Sequence, residues 1–566
     1  MMARAGGRGR GSTLRQGDAS ATRINVPGGA GGVLAVVVLC LASTVWITLG
    51  MTTFFVGPAE WDDNQYCDIA SMPRPSSWVP NRYVHIWTLR TFYFLMESRP
   101  VAAGLYSALT VVGMMWIGFS VGRRMSGPGC GLIAALLMPL YPVLLKYMTV
   151  PYCDEPMILW SGVALVCALL ASDAQRSGTR WTVVAACGLF CFMSVKCKET
   201  GLAVVPAVAL VLWSCDHRMK VVGQWLGGVL AGCLALTLLD AVIMHDGGFM
   251  WRWSSYFPHR TPNPNPTVRT GMEYVELLSS RQFLAFSLLG VGGALLSFRE
   301  NRVVRAVAVW LFAVLLFQSL ISARYKGIQA LDRYAVGVGV PLVILGAHWI
   351  VKLWQRSPPA DDRKPVALAV VLAILVGMTV YGIGVNVASQ PDPKSTAWRL
   401  YFFLVPLTTI ALFAIPWLGS RRWLTRASLV VLVAMTATLS VSNTLRYTQR
   451  SEAKLEPWVK LAHGLDDSGA KLVTWKNGGK PFSKNRIARR CRALSAAPPE
   501  QIEIRAVESL DEVADDEWVV TDVKWWRSST REQQELRAHG WQPFISAVEG
   551  RSGFVVCRRV GAATGG

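Results

Sequence analysis

Charged residues are scarce in this chain of 566 residues, and acidic residues are the scarcer kind. Charged side chains make up 16% of the sequence against 52% hydrophobic ones, and the mean hydropathy is +0.34. That composition excludes an ordinary soluble multidomain protein. The 57 basic residues outnumber the 36 acidic ones without gathering on one soluble segment, as a nucleic-acid partner would require. We therefore expect a polytopic membrane protein that binds membrane lipids and no nucleic acid.

A disulfide framework and a zinc site are also missing from the pattern of the twelve cysteines, because half of them lie in apolar runs and none has zinc-site spacing. The cysteines in apolar runs are Cys40, Cys130, Cys167, Cys187, Cys191 and Cys233. Only Cys491 and Cys557 follow the last apolar run, and either a disulfide or two thiols fits the sequence there. No internal repeat of fixed period is present.

Apolar segments near the length of a membrane span recur thirteen times. They lie near 33–56, 101–121, 129–148, 156–172, 180–195, 200–214, 222–243, 283–298, 303–322, 334–352, 366–388, 400–418 and 426–444. The segment near 33–56 is too long for a signal-peptide core, so we expect an uncleaved first helix. Every second loop between the spans is rich in Lys and Arg, and by the positive-inside rule these loops are cytoplasmic. The N-terminus then lies in the cytoplasm, and the C-terminal part lies on the outer side of the membrane, which is the plasma or inner membrane of the cell.

The sequence therefore predicts an α-helical, multi-pass membrane protein of about thirteen helices with a small extracytoplasmic α/β domain. Its parts are a disordered basic tail (1–32), a transmembrane domain (33–445) with outer loops 57–99 and 245–282, an α/β domain (446–560) and a disordered tail (561–566). Within the last domain, "AKLVTWK", "EWVVTDV" and "GFVVCRRV" are typical of strands, and "EPWVKLAHGL" and "TREQQELRAHGW" of helices.

Two pairs of adjacent carboxylates stand on the predicted outer face. Asp62 and Asp63 follow the first span in "EWDDNQYCD", and Asp154 and Glu155 begin another in "YMTVPYCDEPM". A solvated loop would explain one such pair. Two pairs on one face favour a catalytic or metal-binding role. Neighbouring carboxylates repel each other, which can keep one of them a proton acceptor, and either pair could hold a divalent cation.

Basic residues also stand on the predicted outer face, against the positive-inside trend. A bound phosphate would explain them, and snorkelling at helix ends is the competing explanation, which we favour for Lys394 and Arg399. The candidate phosphate-binding residues are Lys196, Lys198, Arg324, Lys326 and Arg333. His259 in the second outer loop is a candidate for touching an acceptor, although a lone loop histidine is more often solvated.

Together these motifs resemble the GT-C superfamily of glycosyltransferases that use polyprenyl-phosphate sugars. The resemblance is to the protein O-mannosyltransferase and lipid A aminoarabinose transferase branch, of the glycosyltransferase family 39 type. The motifs that carry it are "WDDNQYCDIA", "CDEPMILW", "KCKETGL" and "RYAVGVGVP", with Asp62 and Asp154 at the family's acidic positions. The chain departs from the usual pattern in having Asp63 where Glu is common and cysteines beside the motifs: Cys67, Cys153 and Cys197.

The resemblance implies a sugar donor on polyprenyl phosphate and an acceptor hydroxyl on a glycan, lipid or protein. Asp62 would accept the hydroxyl proton during an inverting attack, and Asp154, with Asp63 or Glu155, would orient the base and acceptor. Lys198 and Arg333, with the other three cations, would stabilise the departing phosphate. No cofactor is implied with certainty; a divalent cation held by Asp62 and Asp154 stays open.

Two other classes of protein explain part of the sequence. A transporter or flippase of a lipid-linked or polar substrate would need ionisable residues near the bilayer midplane, where this sequence has almost none. A receptor or assembly scaffold would explain the outer domain but not the paired carboxylates. The transporter is the second choice and the scaffold the third.

Overall fold

The structure is a computed structural model. It describes residues 30–58, 61–72, 82–96, 98–174, 177–215, 218–243, 245, 273–280, 282–324, 332–355, 422–469, 471–475, 491, 494, 504–507, 509–522, 530–549 and 552–559. The side chains of 61–64 and 321–324 lie outside this description, although the backbone of their helices does not.

Helices dominate the described residues up to Ser468. They are α1 (Ala30–Thr52), α2 (Trp61–Ser71), α3 (Tyr83–Leu95), α4 (Arg99–Ser126), α5 (Pro128–Leu137), α6 (Pro142–Lys146), α7 (Asp154–Asp173), α8 (Ser177–Cys197), α9 (Val205–Leu212), α10 (Arg218–Ile243), α11 (Glu273–Leu278), α12 (Leu284–Ser297), α13 (Arg302–Arg324), α14 (Val336–Gln355) and α15 (Arg422–Ser468). Short 3₁₀ helices, Glu199–Val204 and Asp332–Ala335, lead into α9 and α14.

The chain is a multi-pass membrane protein, as the apolar segments predicted. Eight helices of the described part are long and apolar enough to cross a membrane, and Pro128–Leu137, Glu199–Leu212 and Leu284–Ser297 are shorter apolar helices. All the predicted spans except 366–388 and 400–418 coincide with described helices; those two lie outside the described residues. The predicted outer loop 245–282 also falls mostly outside them.

The third predicted span, 129–148, differs from the prediction because two helices occupy it. α5 ends at Leu137 and α6 begins at Pro142, and the residues between them form turns. Prolines explain the break, since Pro139 and Pro142 cannot donate backbone hydrogen bonds. The turn is held in place by Tyr141, whose hydroxyl donates to the carbonyl oxygen of Ala335 at 3.1 Å. The break thus fixes the chain that enters α14.

Small residues bring α8 and α10 into backbone contact. A Cβ atom added to Gly228 of α10 would lie 1.8 Å from the carbonyl oxygen of Ala185, and one added to Gly188 of α8 would lie 2.0 Å from that of Trp225. Only glycine allows so close an approach, which is the usual means of helix packing where lipid removes the hydrophobic driving force. The contact fixes the position of the C-terminal end of α8.

The C-terminal part is a five-stranded sheet seated on α15. Its strands are β1 (Lys471–Trp475), β2 (Ile504–Val507), β3 (Glu517–Asp522), β4 (Trp541–Glu549) and β5 (Ser552–Arg559), with α16 (Thr530–Ala538) before β4. The order is β2-β1-β3-β5-β4. β2, β1 and β3 are parallel to one another, whereas β5 is antiparallel to both β3 and β4. The small α/β domain is therefore confirmed, and α15 runs unbroken across residue 445, where we placed its boundary.

The two faces of this sheet bury different clusters. Val520 and Val556 pack with Trp458 of α15 on one face, and Val519 and Val555 pack with Leu536 of α16 on the other. This alternation follows from the two-residue period of a strand. Cys491 belongs to the α15 cluster and Cys557 to the α16 cluster, so the two thiols lie on opposite faces and do not form the disulfide that the sequence left open.

Candidate functional site

Asp154 and Lys198 form a buried ion pair at one end of the helix bundle. Asp154 is the first residue of α7, where a carboxylate also faces the positive end of the helix dipole. Lys198 lies directly after α8 in an extended conformation (φ −164°, ψ 141°), which turns the chain into the next 3₁₀ helix. The pair joins the two helices, and both side chains are at least nine-tenths buried.

Arg333 lies beside this pair, among tyrosines. The Lys198 Nζ atom is 4.1 Å from the centroid of the Tyr334 ring. The Arg333 Cζ atom is 5.1 Å from the ring centroids of both Tyr152 and Tyr334, and its Nη2 donates to the Tyr334 hydroxyl at 3.2 Å. Cation–π contacts of this kind are strongest where water is excluded. Two of the predicted phosphate-binding cations thus share one tyrosine.

Glu155 is the second carboxylate of this end and is only 1% exposed. Within the described part of the chain, neither of its carboxylate oxygens has a hydrogen-bond partner. Lys198 and Arg333 are close enough to interact electrostatically with it, as is Asp154. A buried carboxylate without hydrogen bonds is costly, so Glu155 is suited to receive a hydroxyl or amine group of a ligand.

Helix α2 brings the first acidic motif to the same end. The Tyr66 hydroxyl lies 3.6 Å from the Sγ atom of Cys153, the residue before Asp154. Asp62 precedes Tyr66 by one turn of α2, and Asp63 follows Asp62. The side chains of both aspartates fall outside the described residues, so the structure places their backbone and not their carboxylates.

Two residues that the sequence interpretation did not select also belong to this end. Arg82 is buried and donates from Nη1 to Glu199 Oε2 at 2.6 Å. It lies within electrostatic range of Lys198. Because Arg82 stands on the predicted outer face against the positive-inside trend, the same argument that selected Arg333 could have found it.

His85 is the other missed residue. It is fully buried in α3, with Nδ1 3.0 Å from the Tyr106 hydroxyl and its ring edge-on to Tyr66 at 5.1 Å between centroids. Burial lowers the pKa of His85 to about 3, so its imidazole is neutral at physiological pH. A neutral His85 is suited to hold the two tyrosines rather than to carry charge. No sequence signal identified it.

The other predicted residues are placed differently. Lys196 faces α10, where its Nζ lies 6.0 Å from the Phe192 ring centroid and close to Asp240. The Tyr83 hydroxyl donates to Asp240 at the same place. Arg324 ends α13, with its side chain outside the description. Lys326 and His259 lie outside the described residues altogether, as do Lys394 and Arg399.

The described side chains contain no group of three His, Cys, Asp or Glu residues placed to hold a metal ion. Asp154, one of the two proposed cation ligands, is already balanced in charge by Lys198. A dication at Asp154 would have to displace that ammonium group. The residues described at this end therefore fit a bound anion, beside the cationic side chains, better than a bound metal cation.

The geometry accordingly brings an ion pair, a carboxylate without a described hydrogen-bond partner and several cations together among largely buried side chains. Such an arrangement can bind a phosphate and stabilise the negative charge that grows on it when a bond to it breaks. It can also receive a hydroxyl group at a carboxylate.

Comparison with known proteins supports the predicted resemblance. Residues 80–243 match the family model described as dolichyl-phosphate-mannose-protein mannosyltransferase. Among solved structures, ArnT from Cupriavidus metallidurans in the apo state is 15% identical, with a TM-score of 0.57 over 93% of this chain and 97% of that chain. ArnT bound to undecaprenyl phosphate is 16% identical, with a TM-score of 0.57 over 94% of this chain and 99% of that chain.

At these identities the structural likeness shows the fold, and it covers nearly the whole of both chains. The resemblance to GT-C glycosyltransferases that we expected from the motifs is therefore confirmed at the level of fold, with a family match over α3 to α10. A comparison with curated protein sequences gave no match.

Proposed function

We propose that this chain, which has the fold of the GT-C glycosyltransferases, transfers a sugar from a polyprenyl-phosphate donor to an acceptor hydroxyl. The observation that carries the proposal is the buried Asp154–Lys198 pair with Arg333 beside it. Cations that are already desolvated and fixed cost little to reorganise when a phosphate gains charge. The donor's isoprenoid tail would lie in the membrane, since the site is at the end of membrane-spanning helices.

The roles of the residues follow from the chemistry of this transfer. Asp62 accepts the proton of the acceptor hydroxyl as the oxygen attacks the anomeric carbon, opposite the phosphate, so the configuration inverts. The bond from the anomeric carbon to the phosphate oxygen breaks, and Lys198 and Arg333 stabilise the departing phosphate. Asp154 holds Lys198 in place, and Asp63 or Glu155 orients the acceptor.

Arg82 and the remaining candidate cations play secondary roles in this proposal. Arg82, held by Glu199, adds positive charge to the site. Arg324 ends α13 and Lys326 follows it two residues later in the sequence, and this proposal assigns both to the phosphate. Lys196 helps to fix α8 against α10.

The site is proposed to lie on the extracytoplasmic side of the plasma or inner membrane, because the loops at the opposite end of the helix bundle are basic. A tag after Gly566 should then be reached by a membrane-impermeant reagent in intact cells, and a tag after Met1 only after permeabilisation. Both tags on the same side would refute this topology. Here a transporter is disfavoured, since in the described membrane-spanning helices before residue 356 every Asp, Glu, Lys and Arg lies in the first or last turn.

The activity itself is tested with the purified full chain in lipid nanodiscs and a radiolabelled polyprenyl-phosphate sugar. Transfer of the label to added acceptors, or slow hydrolysis releasing free sugar and polyprenyl phosphate, supports the proposal. Movement of the intact donor between leaflets of a vesicle without breakdown would support a flippase instead. Comparison of the glycolipids and glycans of a deletion strain with those of its parent identifies the sugar and acceptor.

A further inference from the structure

A continuous series of cations and tyrosine rings leads from the Asp154–Lys198 pair to helix α15. Beyond Arg333, the Tyr152 ring meets the Tyr147 ring edge-to-face, with 5.1 Å between centroids. Tyr147 in turn meets Tyr447 of α15 edge-to-face at 5.5 Å. The Lys146 Nζ atom contacts both of these last two rings, 4.7 Å from each centroid. We call this series the tyrosine–cation ladder: Asp154, Lys198, Tyr334, Arg333, Tyr152, Tyr147, Lys146 and Tyr447.

The ladder reaches a helix that also carries the α/β domain. Eleven residues after Tyr447, Trp458 of α15 is 1% exposed and contacts Phe554 of β5 in a tilted arrangement, with 4.1 Å between ring centroids. Leu455, Leu461 and Leu465 of α15 extend the same contact to the sheet. One unbroken helix therefore touches the ladder in its middle and the domain at its C-terminal end.

The middle rings of the ladder, Tyr147 and Tyr152, cannot serve as a platform on which a sugar stacks. Tyr147 is 6% exposed and Tyr152 is 3% exposed, and their faces and edges already contact cations and other rings. A sugar would have to displace these contacts. Because the ladder is closed to ligands along its middle, its contacts act on the position of Arg333 and not directly on a substrate.

We infer that Tyr447 and Lys146 are positioning residues, through which α15 and the domain it carries hold Arg333 where a donor phosphate binds. The inference rests on the proposed function, since it assumes that Arg333 contacts the phosphate. Each step is a ring–cation or ring–ring contact with a preferred geometry, so displacing α15 displaces Tyr147, then Tyr152, then Arg333. The α/β domain thereby acts on the donor site through α15.

The test measures the Kd of undecaprenyl phosphate for the full chain in nanodiscs. Tyr447→Ala and Lys146→Gln should each raise the Kd by roughly 2- to 30-fold, the range of measured couplings through packed networks. Tyr447→Phe keeps the ring and should bind like the wild type. Arg446→Ala is the matched control, because Arg446 is the exposed neighbour on the same helix. Melting temperatures are recorded for every variant, and Lys146→Gln carries the test should Tyr447→Ala not fold.

A double-mutant cycle shows whether the effect passes through Arg333. In the Arg333→Ala background, Tyr447→Ala should add nothing to the Kd. Additive effects of Tyr447→Ala and Arg333→Ala on the Kd would overturn the inference. Wild-type Kd values for both Tyr447→Ala and Lys146→Gln, at a lowered melting temperature, would also overturn it, because they would show that the ladder contributes only to packing. If the wild-type chain does not bind undecaprenyl phosphate, the proposed function fails together with the inference; if it binds and Arg333→Ala weakens it, only the ladder is in question.

Discussion

Asp154 and Lys198, 44 residues apart in sequence, neutralise each other at the start of α7 and the end of α8, with side chains only 4% and 9% exposed. Neither charge could be left alone there, because removing a charged group from water costs several kcal/mol unless a partner compensates. The pair therefore has a structural consequence in addition to its proposed role in catalysis. The two effects can be separated by experiment.

Removing one charge of this pair should lower the stability of the chain more than removing both charges. Lys198→Met leaves a buried, uncompensated carboxylate and should destabilise the chain by about 3–5 kcal/mol. Adding Asp154→Asn should recover a large part of that stability, because no charge is left, while transfer activity stays low. Thermal unfolding in detergent measures the first effect and transfer of labelled sugar the second. Equal melting temperatures for the single and double variants would contradict the prediction.

Asp62→Asn tests the proposed general base. The amide cannot accept the hydroxyl proton, so turnover should fall roughly 10²- to 10⁴-fold while the Kd of the donor stays unchanged. The comparison variant is Asp63→Asn, in which the neighbouring carboxylate of α2 is removed by the same isosteric change. Near-normal turnover in Asp62→Asn together with a large loss in Asp63→Asn would move the role to Asp63.

Much of this site could be predicted from sequence because its members break a trend. Asp154 and Glu155 are acidic where acid is scarce, and Lys198 and Arg333 are basic where the positive-inside rule disfavours them. The spans were predictable for a similar reason, since lipid demands long apolar helices. Violations of a strong physical rule remain visible in a single sequence.

What the sequence could not predict depends on packing between distant segments. Arg82 and Glu199 are 117 residues apart, and their pairing requires α3 to lie against the end of α8. The neutral state of His85 follows from full burial, which no local pattern announces. The tyrosine–cation ladder joins residues from four separate segments, and tyrosines near membrane interfaces are too common to signal it.

Arg333 variants test the phosphate contact directly. Arg333→Ala should lower kcat and also weaken donor binding, because the charge on the phosphate grows as the sugar bond breaks. Arg333→Lys should recover only part of both losses, since a single ammonium group cannot grip two oxygens as the guanidinium fork can. Unchanged donor kinetics with a lower membrane yield would show that Arg333 anchors topology, and the phosphate contacts would then be sought at Arg82 and the remaining candidate cations.

The α/β domain should lose stability in acid through one carboxylate. Glu517 Oε2 accepts from Arg505 Nη2 at 2.6 Å and from the Ala514 amide at 2.9 Å. Burial alone would raise the pKa of Glu517, but these hydrogen bonds outweigh it and hold that pKa below its ordinary value. The folded domain thus binds this proton less readily than the unfolded chain, so unfolding takes up a proton near and below about pH 4.

The contribution of Glu517 to stability is therefore fully present above its ordinary pKa and is lost as the pH falls through the lowered one. Hydrogen exchange of the β1 and β3 amides in the full chain should accelerate between about pH 5 and pH 3, after correction for the intrinsic exchange rate. Glu517→Gln should exchange faster at pH 7 and lose most of this acid dependence. Asp516→Asn, a change in the exposed neighbour, should keep it. An undiminished acid dependence in Glu517→Gln would assign the acid sensitivity of the domain to another group.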